Sequence, residues 1–400
     1  MNKPDQNSKP AFSGERVRLG DAFDLQMGKT PSRDNSSYWN NGDHEWVSIK
    51  DLGTYGKYVG STKETISELG RAESGIKPVP ANTLIMSFKL SLGKTAITTR
   101  ETYTNEAIMA FLEKGDHEIN LDYMWHQFRS KDWTVGTNTA VMGKTLNKKT
   151  LGDSTIRIPS LAEQIEIADI LDKVLGQIDA TNNQVSHLQS LVKSQFVEMF
   201  GDPVDNPHNW PVEKLSTLGN LKNGINFRST ESGQEIPCLG VSDFKNRSRI
   251  DDMSLISRIR IDNELGDSQV LKDGDVIFVR SNGNKQLVGR CLAIFPKSQK
   301  VTFSGFCIRF RSTSNKTNLE YLLSTLKTSS MRSAMMGRGA NIQNLNQKIL
   351  ANLEIPIPPL ELQREFAAFA ERAAKLEFAA QQQIEKLQTL YDSLAQEYFG

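Results

Sequence analysis

The sequence predicts an α+β chain: two mixed α/β, strand-rich domains joined by two long antiparallel coiled-coil helices, with an internal pseudo-two-fold repeat. Three observations predict it: a gapless internal repeat, two long proline-free stretches with helical apolar spacing, and charge that alternates from segment to segment. Sliding the chain against itself by 199 residues aligns 146–201 with 345–400, and 20 of those 56 pairs are identical. The core of the repeat reads Ile156-x-Ile158-Pro159-x-Leu161-x-x-Gln164 in one copy and Ile355-x-Ile357-Pro358-x-Leu360-x-x-Gln363 in the other. Both copies close on Phe-Gly, at Phe200-Gly201 and Phe399-Gly400. A repeat of this kind marks one supersecondary unit used twice, and 400 residues exceed what one ordinary core serves.

Taken in order, residues 1–14 are a polar, flexible lead-in without an apolar export segment, and no later stretch is apolar enough for a membrane span. The expected location is cytoplasmic, which suits three cysteines, Cys238, Cys291 and Cys307, that lack CxxC spacing. The first domain is expected at 15–152 and the second at 203–352. They share faint echoes: Leu19-Gly20 with Leu218-Gly219, Val47–Leu52 with Leu239–Phe244, and Leu121-Asp122-Tyr123 with Leu319-Glu320-Tyr321. Strands are predicted at 83–86, 275–279 and 306–310, turns at Asn41-Gly42, Asp273-Gly274 and Asn282-Gly283, and helices near 120–131 and 318–335.

Helical spacers are expected at 153–202 and 353–400. In the first, Leu171, Val174, Ile178, Val185, Leu188, Val192 and Met199 follow a heptad seam, with Thr181 and Gln195 as polar exceptions. In the second the seam runs through Ala370, Ala373, Ala380, Ile384, Leu387, Tyr391, Leu394 and Tyr398, broken by Glu377. At 1.5 Å per residue each helix would run roughly 58 Å. Each leads away from its own domain, so an antiparallel pair is predicted.

Net charge is +1 overall, but 1–152 carries +2, 153–202 carries −5, 203–352 carries +8 and 353–400 carries −4. Basic domains joined by acidic helices suit phosphates at the domains and another kind of contact at the helices. The first domain offers Lys29, Thr30, Ser32 and Arg33 after Gly28, then Lys50, the loop from Lys89 to Lys94, and Lys144 with Asn147. The second offers Arg228, Lys245 and Arg247, the run Arg280, Ser281, Asn282, Asn284 and Lys285 leading to Arg290, and a late loop with Arg338, Asn341 and Gln343. Glycine and asparagine beside arginine let backbone approach closely and supply donors and acceptors for base edges.

No motif for catalysis or metal binding is complete in the sequence. Gly28-Lys29-Thr30, Gly93-Lys94-Thr95 and Gly143-Lys144-Thr145 imitate the end of a P-loop, but Phe23, Phe88 and Asn138 occupy the position of its first glycine. His44, His117, His126, His187 and His208 never pair at metal-ligand spacing, so no metal is expected. Asp202-Pro203 and Asn206-Pro207 lack the second proline and aromatic of an adenine methyltransferase, so no catalytic residue is assigned.

In these residues the chain resembles the specificity subunit of type I restriction-modification systems, the HsdS family, over nearly its whole length. Gly28–Ser32, Tyr38-Trp39 and Trp46–Leu52 carry the resemblance, with the Asp275–Gly283 to Arg290 loop and the twice-used Ile-Pro-x-Leu-x-x-Gln lead-in to a helix ending in Phe-Gly. One departure is Ile85–Lys89, which lacks the Arg-Ser-x-Gly loop of the second domain. The resemblance implies a non-catalytic reader whose two target recognition domains each take one half of a bipartite, asymmetric sequence in double-stranded DNA. The helices would set the spacing and dock two methyltransferase (HsdM) subunits, with Leu171, Val174, Ile178, Val185, Leu188, Val192, Ile384, Leu387, Tyr391 and Leu394 in the pairing seam. Restriction/translocase (HsdR) subunits would join them, and S-adenosylmethionine would belong to the methyltransferase. Two other classes fit the same residues: a structural coiled-coil DNA-binding scaffold, and a self-contained DNA-modifying enzyme.

Overall fold

The computed structural model describes residues 14–89, 91–134, 138–140, 143–228, 230–244, 247–336 and 344–400, with backbone alone at 40, 41, 138–140 and 143–145. The chain divides into two units, 1–182 with 381–400, and 183–380. Each unit holds one strand-rich domain, the beginning of the long helix that follows it and the end of the other long helix. The predicted mixture of helix and sheet is what forms, and the two long helices are Leu161–Phe200 and Leu360–Phe399.

In the first unit a four-stranded antiparallel sheet has the order Phe23–Met27, Ile108–Glu113, Leu84–Ser87, Thr95–Ile97. A second sheet pairs Trp39–Val47 with Glu64–Ile66 and, in parallel, with Tyr103–Thr104. The second unit repeats the plan. Its main sheet runs Gly219–Asn223, Cys307–Ser312, Asp275–Val279, Cys291–Ile294, Arg249–Ile250, and Gln234–Leu239 pairs with Arg258–Ile261 and, in parallel, with Thr302–Phe303. One expectation changes: Asn41-Gly42 is not a turn between strands. It lies inside Trp39–Val47, where the register against Glu64–Ile66 shifts between Trp39 and His44 and Gly42 takes φ +82°. The glycine serves a bulge, which the dipeptide alone does not distinguish from a hairpin turn.

The repeat motif earns its identity through its glutamine. Gln164 is wholly buried; its Oε1 accepts from the Asn120 amide at 2.8 Å, and its Nε2 donates to the carbonyls of Glu118 and Pro159, both at 2.9 Å. Gln363, equally buried, accepts from the Asn318 amide at 2.8 Å and donates to Lys316 at 3.0 Å and Pro358 at 2.9 Å. Asn120 and Asn318 are themselves the N-caps of the domain helices Leu121–Ser130 and Leu319–Lys327. A primary amide is the side chain that offers one acceptor and two donors here. The Leu-Asp/Glu-Tyr echo has the same explanation. The Tyr123 hydroxyl donates to the Arg157 carbonyl at 3.0 Å, and the Tyr321 hydroxyl donates to Pro356 at 2.9 Å, so each domain helix is tied to the strand that leads into a long helix.

Within each unit the helical segments run antiparallel. In the first, Arg157 donates to the Gly400 carbonyl while His126 touches both Asp172 and Tyr391, so numbers rise along one segment as they fall along the other. In the second, Gln189 donates to Glu377 at 2.6 Å and the Phe196 ring lies 5.5 Å from Phe366. Leu171, Val174 and Ile178 are buried with Tyr391, Ala395 and Tyr398, while Ile384, Leu387 and Leu394 pack against them. In the second unit Phe196, Phe200, Tyr321, Phe366 and Ala370 form a separate cluster joined by Val192 and Met199; Val185 and Leu188 are half-buried. Burying side chains of this size is worth about 1.5–3 kcal/mol each. Two of the breaks in the seam have partners: buried Thr181 donates to the Gln177 carbonyl, and Glu377 takes the Gln189 amide. Phe-Gly also has a physical reason. Phe200 packs on Tyr321 at 4.8 Å and Phe399 on Tyr123 at 5.4 Å, and Gly201 takes φ +73°, the left-handed geometry that ends a helix.

A polar knot centred on a buried histidine joins four segments of the first unit. His126, with no exposure, hydrogen-bonds Tyr391 through Nδ1 and Asp172 through Nε2, each at 2.9 Å. Lys57 bridges Asp172 at 2.6 Å and Asp122 at 2.7 Å. Burial lowers the His126 pKa despite the Asp172 contact. Burial also pushes the Asp172 carboxyl up, but hydrogen bonds from His126 and Lys57 outweigh it and hold the group below its ordinary value.

Candidate nucleic-acid interface

At one end of the main sheet the same three loops meet in both units. Strands Phe23–Met27 and Leu84–Ser87 end there, and Thr95–Ile97 and Ile108–Glu113 begin there. The loops are therefore 28–33, 88–94 and 105–107; in the second unit they are 224–228, 280–290 and 304–306. Backbone bonds fix the correspondence. The Gly28 amide donates to Ile108 and Gly224 to Cys307; Phe88 donates to Ala107 and Arg280 to Phe306; Leu146 donates to Phe88 and Leu345 to Arg280. The last pair fastens Leu146 and Leu345 beside the hairpin. Hence the Lys89 to Lys94 loop is the positional counterpart of Arg280 to Arg290, although the Arg-Ser-x-Gly pattern is missing from it.

Glycine at 28 and 224 follows from crowding. A Cβ on Gly28 would lie 2.2 Å from the Thr104 carbonyl oxygen, and one on Gly224 would lie 2.1 Å from that of Ser304. In the first unit Arg33, Lys50 and Lys89 line one open cleft with Trp46, Ser48 and Asn105. Arg33 is already engaged: it grips Glu64 at 2.6 and 3.2 Å and stacks on Trp39, 3.7 Å from the ring centroid. Lys29 donates to the Ser74 carbonyl, Thr30 bonds Glu106 and takes a hydrogen bond from Asn105, and the exposed Ser32 lends its carbonyl to the Trp39 indole. Lys50 is exposed on the short helix Ile49–Leu52, Lys89 lies over the Phe88 ring, and the Lys94 ammonium rests against Gly53. Asn147 caps the helix Lys148–Gly152, accepting from the Thr150 amide at 2.8 Å, as Asn346 accepts from Ile349. The side chain of Lys144 lies outside the described residues.

In the second unit Arg228 is exposed and Arg247 half-buried. Arg280 donates to the Gly305 carbonyl, and Ser281 bridges Asn344. Asn282 accepts from the Asn284 amide, and Asn284 accepts from the Gln286 amide, so both side-chain oxygens shape the loop. Lys285 is exposed and Arg290 half-buried. Lys245, Arg338, Asn341 and Gln343 lie outside the described residues.

Sequence reasoning missed several supports. Arg332 clamps the hairpin through the carbonyls of Gln286 and Val288. Trp39 and Trp46 meet edge to face at 5.0 Å beneath Arg33. Phe306 and Phe227 are exposed at the sheet end, Phe306 by 62%. None of the Gly-Lys-Thr stretches opens a helix: 93–95 leads into a strand and 143–145 is one. The cysteines are buried, with burial pushing Cys238 up to about 12 and Cys291 up to about 11, the wrong direction for a nucleophile. Among the described residues no group of three His, Cys, Asp or Glu is placed to hold a metal, and no helix is long and apolar enough to cross a membrane.

The sequence model of the family described as type I restriction modification DNA specificity domain matches the chain twice, over 14–189 and 207–388. The StySPI type I restriction enzyme specificity subunit of Salmonella potsdam is 27% identical over 256 residues, 60% of this chain and 55% of that protein. The MjaIX specificity subunit of Methanocaldococcus jannaschii is 24% identical over 271 residues, 60% of this chain and 62% of that protein. The EcoKI specificity subunit of Escherichia coli K12 is 28% identical over 234 residues, 54% and 50%. The chain thus spans between half and two thirds of the length of these relatives. Among solved structures, the S subunit of a type I restriction-modification system from M. genitalium superposes with a TM-score of 0.53 at 14% identity, covering 100% of this chain and 98% of that one. A chain solved in work on complex assembly and conformational transition of the type I R-M system gives 0.61 at 17%, covering 98% of each. At such identities the likeness is one of fold.

Proposed function

This chain belongs to the type I restriction-modification DNA specificity family, and we propose from that premise that it is the sequence-reading subunit of a type I restriction-modification complex. Each recognition domain, 15–152 and 203–352, takes one half of a bipartite, asymmetric DNA target. The long helices hold the two readings at a set spacing and dock methyltransferase subunits, which supply S-adenosylmethionine chemistry; endonuclease subunits join that assembly. The chain itself is non-catalytic and works in the cytoplasm.

The observation that carries this reading is that both units bring the same three loops to the same end of the same sheet, yet fill them with different side chains. A common backbone with different side chains is what two readers of different half-sites need, because phosphate contacts position the protein and base contacts specify. Arg33, Lys50, Lys89 and Lys94 are assigned to the first half-site. Arg228, Arg247, Arg280, Asn282, Asn284, Lys285 and Arg290 are assigned to the second.

The test is DNA binding and labelled-methyl transfer by the chain with and without its methyltransferase partner. Sequence-selective binding and methyl transfer are expected from the complex, and no transfer from the chain alone. Transfer by the chain alone would identify a self-contained enzyme, and DNA binding by the complex without sequence preference would leave a coiled-coil DNA-binding scaffold. Lys50→Ala and Lys89→Ala should each flatten the dependence of log affinity on log salt by about one, with little change in sequence preference, as expected for phosphate contacts. An unchanged salt slope would remove these lysines from the interface.

A further inference from the structure

We propose that Phe306 is a specificity residue of the second unit that reads the methyl group of a thymine. The inference rests on the proposed DNA-reading role and deepens it. Phe306 lies at the start of strand Cys307–Ser312, among the loops of the sheet end, with 62% of its surface exposed. Its backbone is fixed on both sides: its carbonyl accepts from the Arg280 amide at 2.8 Å, and its amide donates to the Ser304 hydroxyl at 3.3 Å. The preceding Gly305 donates to the Ile225 carbonyl at 2.6 Å, and a Cβ there would collide with the Asn226 side-chain oxygen at 2.1 Å. The ring is therefore presented outward by a locked loop.

The fold does not require a ring there. The same backbone position in the first unit is Ala107, whose carbonyl accepts from Phe88 and whose side chain is buried. In that unit the aromatic group is Phe88, turned into the core with 1% exposure; in the second unit its counterpart is Arg280. The pair has exchanged character, leaving a cation and an exposed ring together at the tip. Arg280, Asn282 and Asn284 stand in the adjoining hairpin loop, and arginine and asparagine are the side chains that read guanine and adenine in the major groove. There, the apolar feature of the base edges is the thymine C5-methyl group, which an aromatic ring contacts well.

The test uses the complex of the full chain with its methyltransferase partner and duplexes in which single thymines of the second half-site are replaced by deoxyuridine, which lacks only that methyl. Wild-type complex should lose about 3- to 10-fold in affinity at one position, the size expected for one buried methyl group. Phe306→Ala should lose a similar factor on the thymine duplex and nothing further on the deoxyuridine duplex. Its salt slope should stay that of wild type, because no phosphate contact is removed. Phe306→Leu should retain part of the discrimination. Unaltered thermal unfolding of Phe306→Ala would confirm that an exposed group was removed. Deoxyuridine without effect at every thymine, or a Phe306→Ala loss that is equal on unrelated DNA, overturns the proposal while leaving the reading role intact. A wild-type complex with no sequence preference would defeat both.

Discussion

Gln164→Glu is expected to destabilise the first unit more than Gln164→Ala, an inversion of what size and polarity alone suggest. Alanine leaves the Asn120 amide and the carbonyls of Glu118 and Pro159 without their partner, around a glutamine side chain that is itself wholly buried. At about 1–3 kcal/mol for each buried polar group left unsatisfied, the loss should be about 3–5 kcal/mol after local relaxation. Glutamate keeps the shape but replaces two donors by an oxygen aimed at two carbonyl oxygens, and it must be ionised without a partner or take up a proton. Gln363→Glu and Gln363→Ala should show the same order in the second unit, because Gln363 makes the matching bonds to Asn318, Lys316 and Pro358. Denaturant unfolding with a probe in each unit is the appropriate measurement, since two units need not unfold as one. Glutamate variants as stable as wild type would show that the clasp is dispensable.

The second large effect is at His126. His126→Ala should cost the first unit about 1–3 kcal/mol, because it empties a wholly buried site and leaves the Tyr391 hydroxyl with Ser130 alone, while the Asp172 oxygen it releases is partly open to water beside the Lys57 charge. Burial lowers the His126 pKa from its ordinary value near 6.5. The unfolded chain therefore binds the proton first as the solution is acidified. The stabilisation is fully present above that value and is lost as pH falls through it toward the lower folded-state value. Asp172 is also shifted down, so its contribution fades only in the more acidic range below the ordinary carboxylate value. Comparing wild type with His126→Gln, which retains hydrogen-bonding capacity but does not titrate, isolates the effect from the other histidines. Wild type should lose stability relative to the variant as the pH falls through and below about 6.5. A flat difference across that range would mean that His126 is protonated equally in both states.

These junctions also show what the sequence discloses and what it hides. The repeat, the long helices and the seam are legible because periodicity is local and the copies align without a gap. The reason for Gln164 is less legible: its partners Glu118 and Asn120 lie more than forty residues upstream, and only the structure brings them beside the helix lead-in. Asn147 shows a different limit. It reads as a loop residue facing DNA, and in the structure its side-chain oxygen caps a short helix, as that of Asn346 does. Arg33 looks like a free cation until Glu64, distant in sequence, closes on it. His126 looks solitary because its partners come from a helix 46 residues on and another 265 residues on. Phe306 escaped notice because a phenylalanine opening a strand reads as core; the preceding Ser304-Gly305 pair is the signal that could have marked a locked, outward-facing tip.

In the proposed function, two homologous readers act independently on the two parts of one split target. The most direct test is methylome sequencing of a host carrying the intact gene set, before and after 203–352 is exchanged for the corresponding segment of a relative. The account predicts a discontinuous modified motif in which one part changes while the other part and the gap between them stay the same. A continuous motif, or one that the exchange leaves untouched, would contradict it.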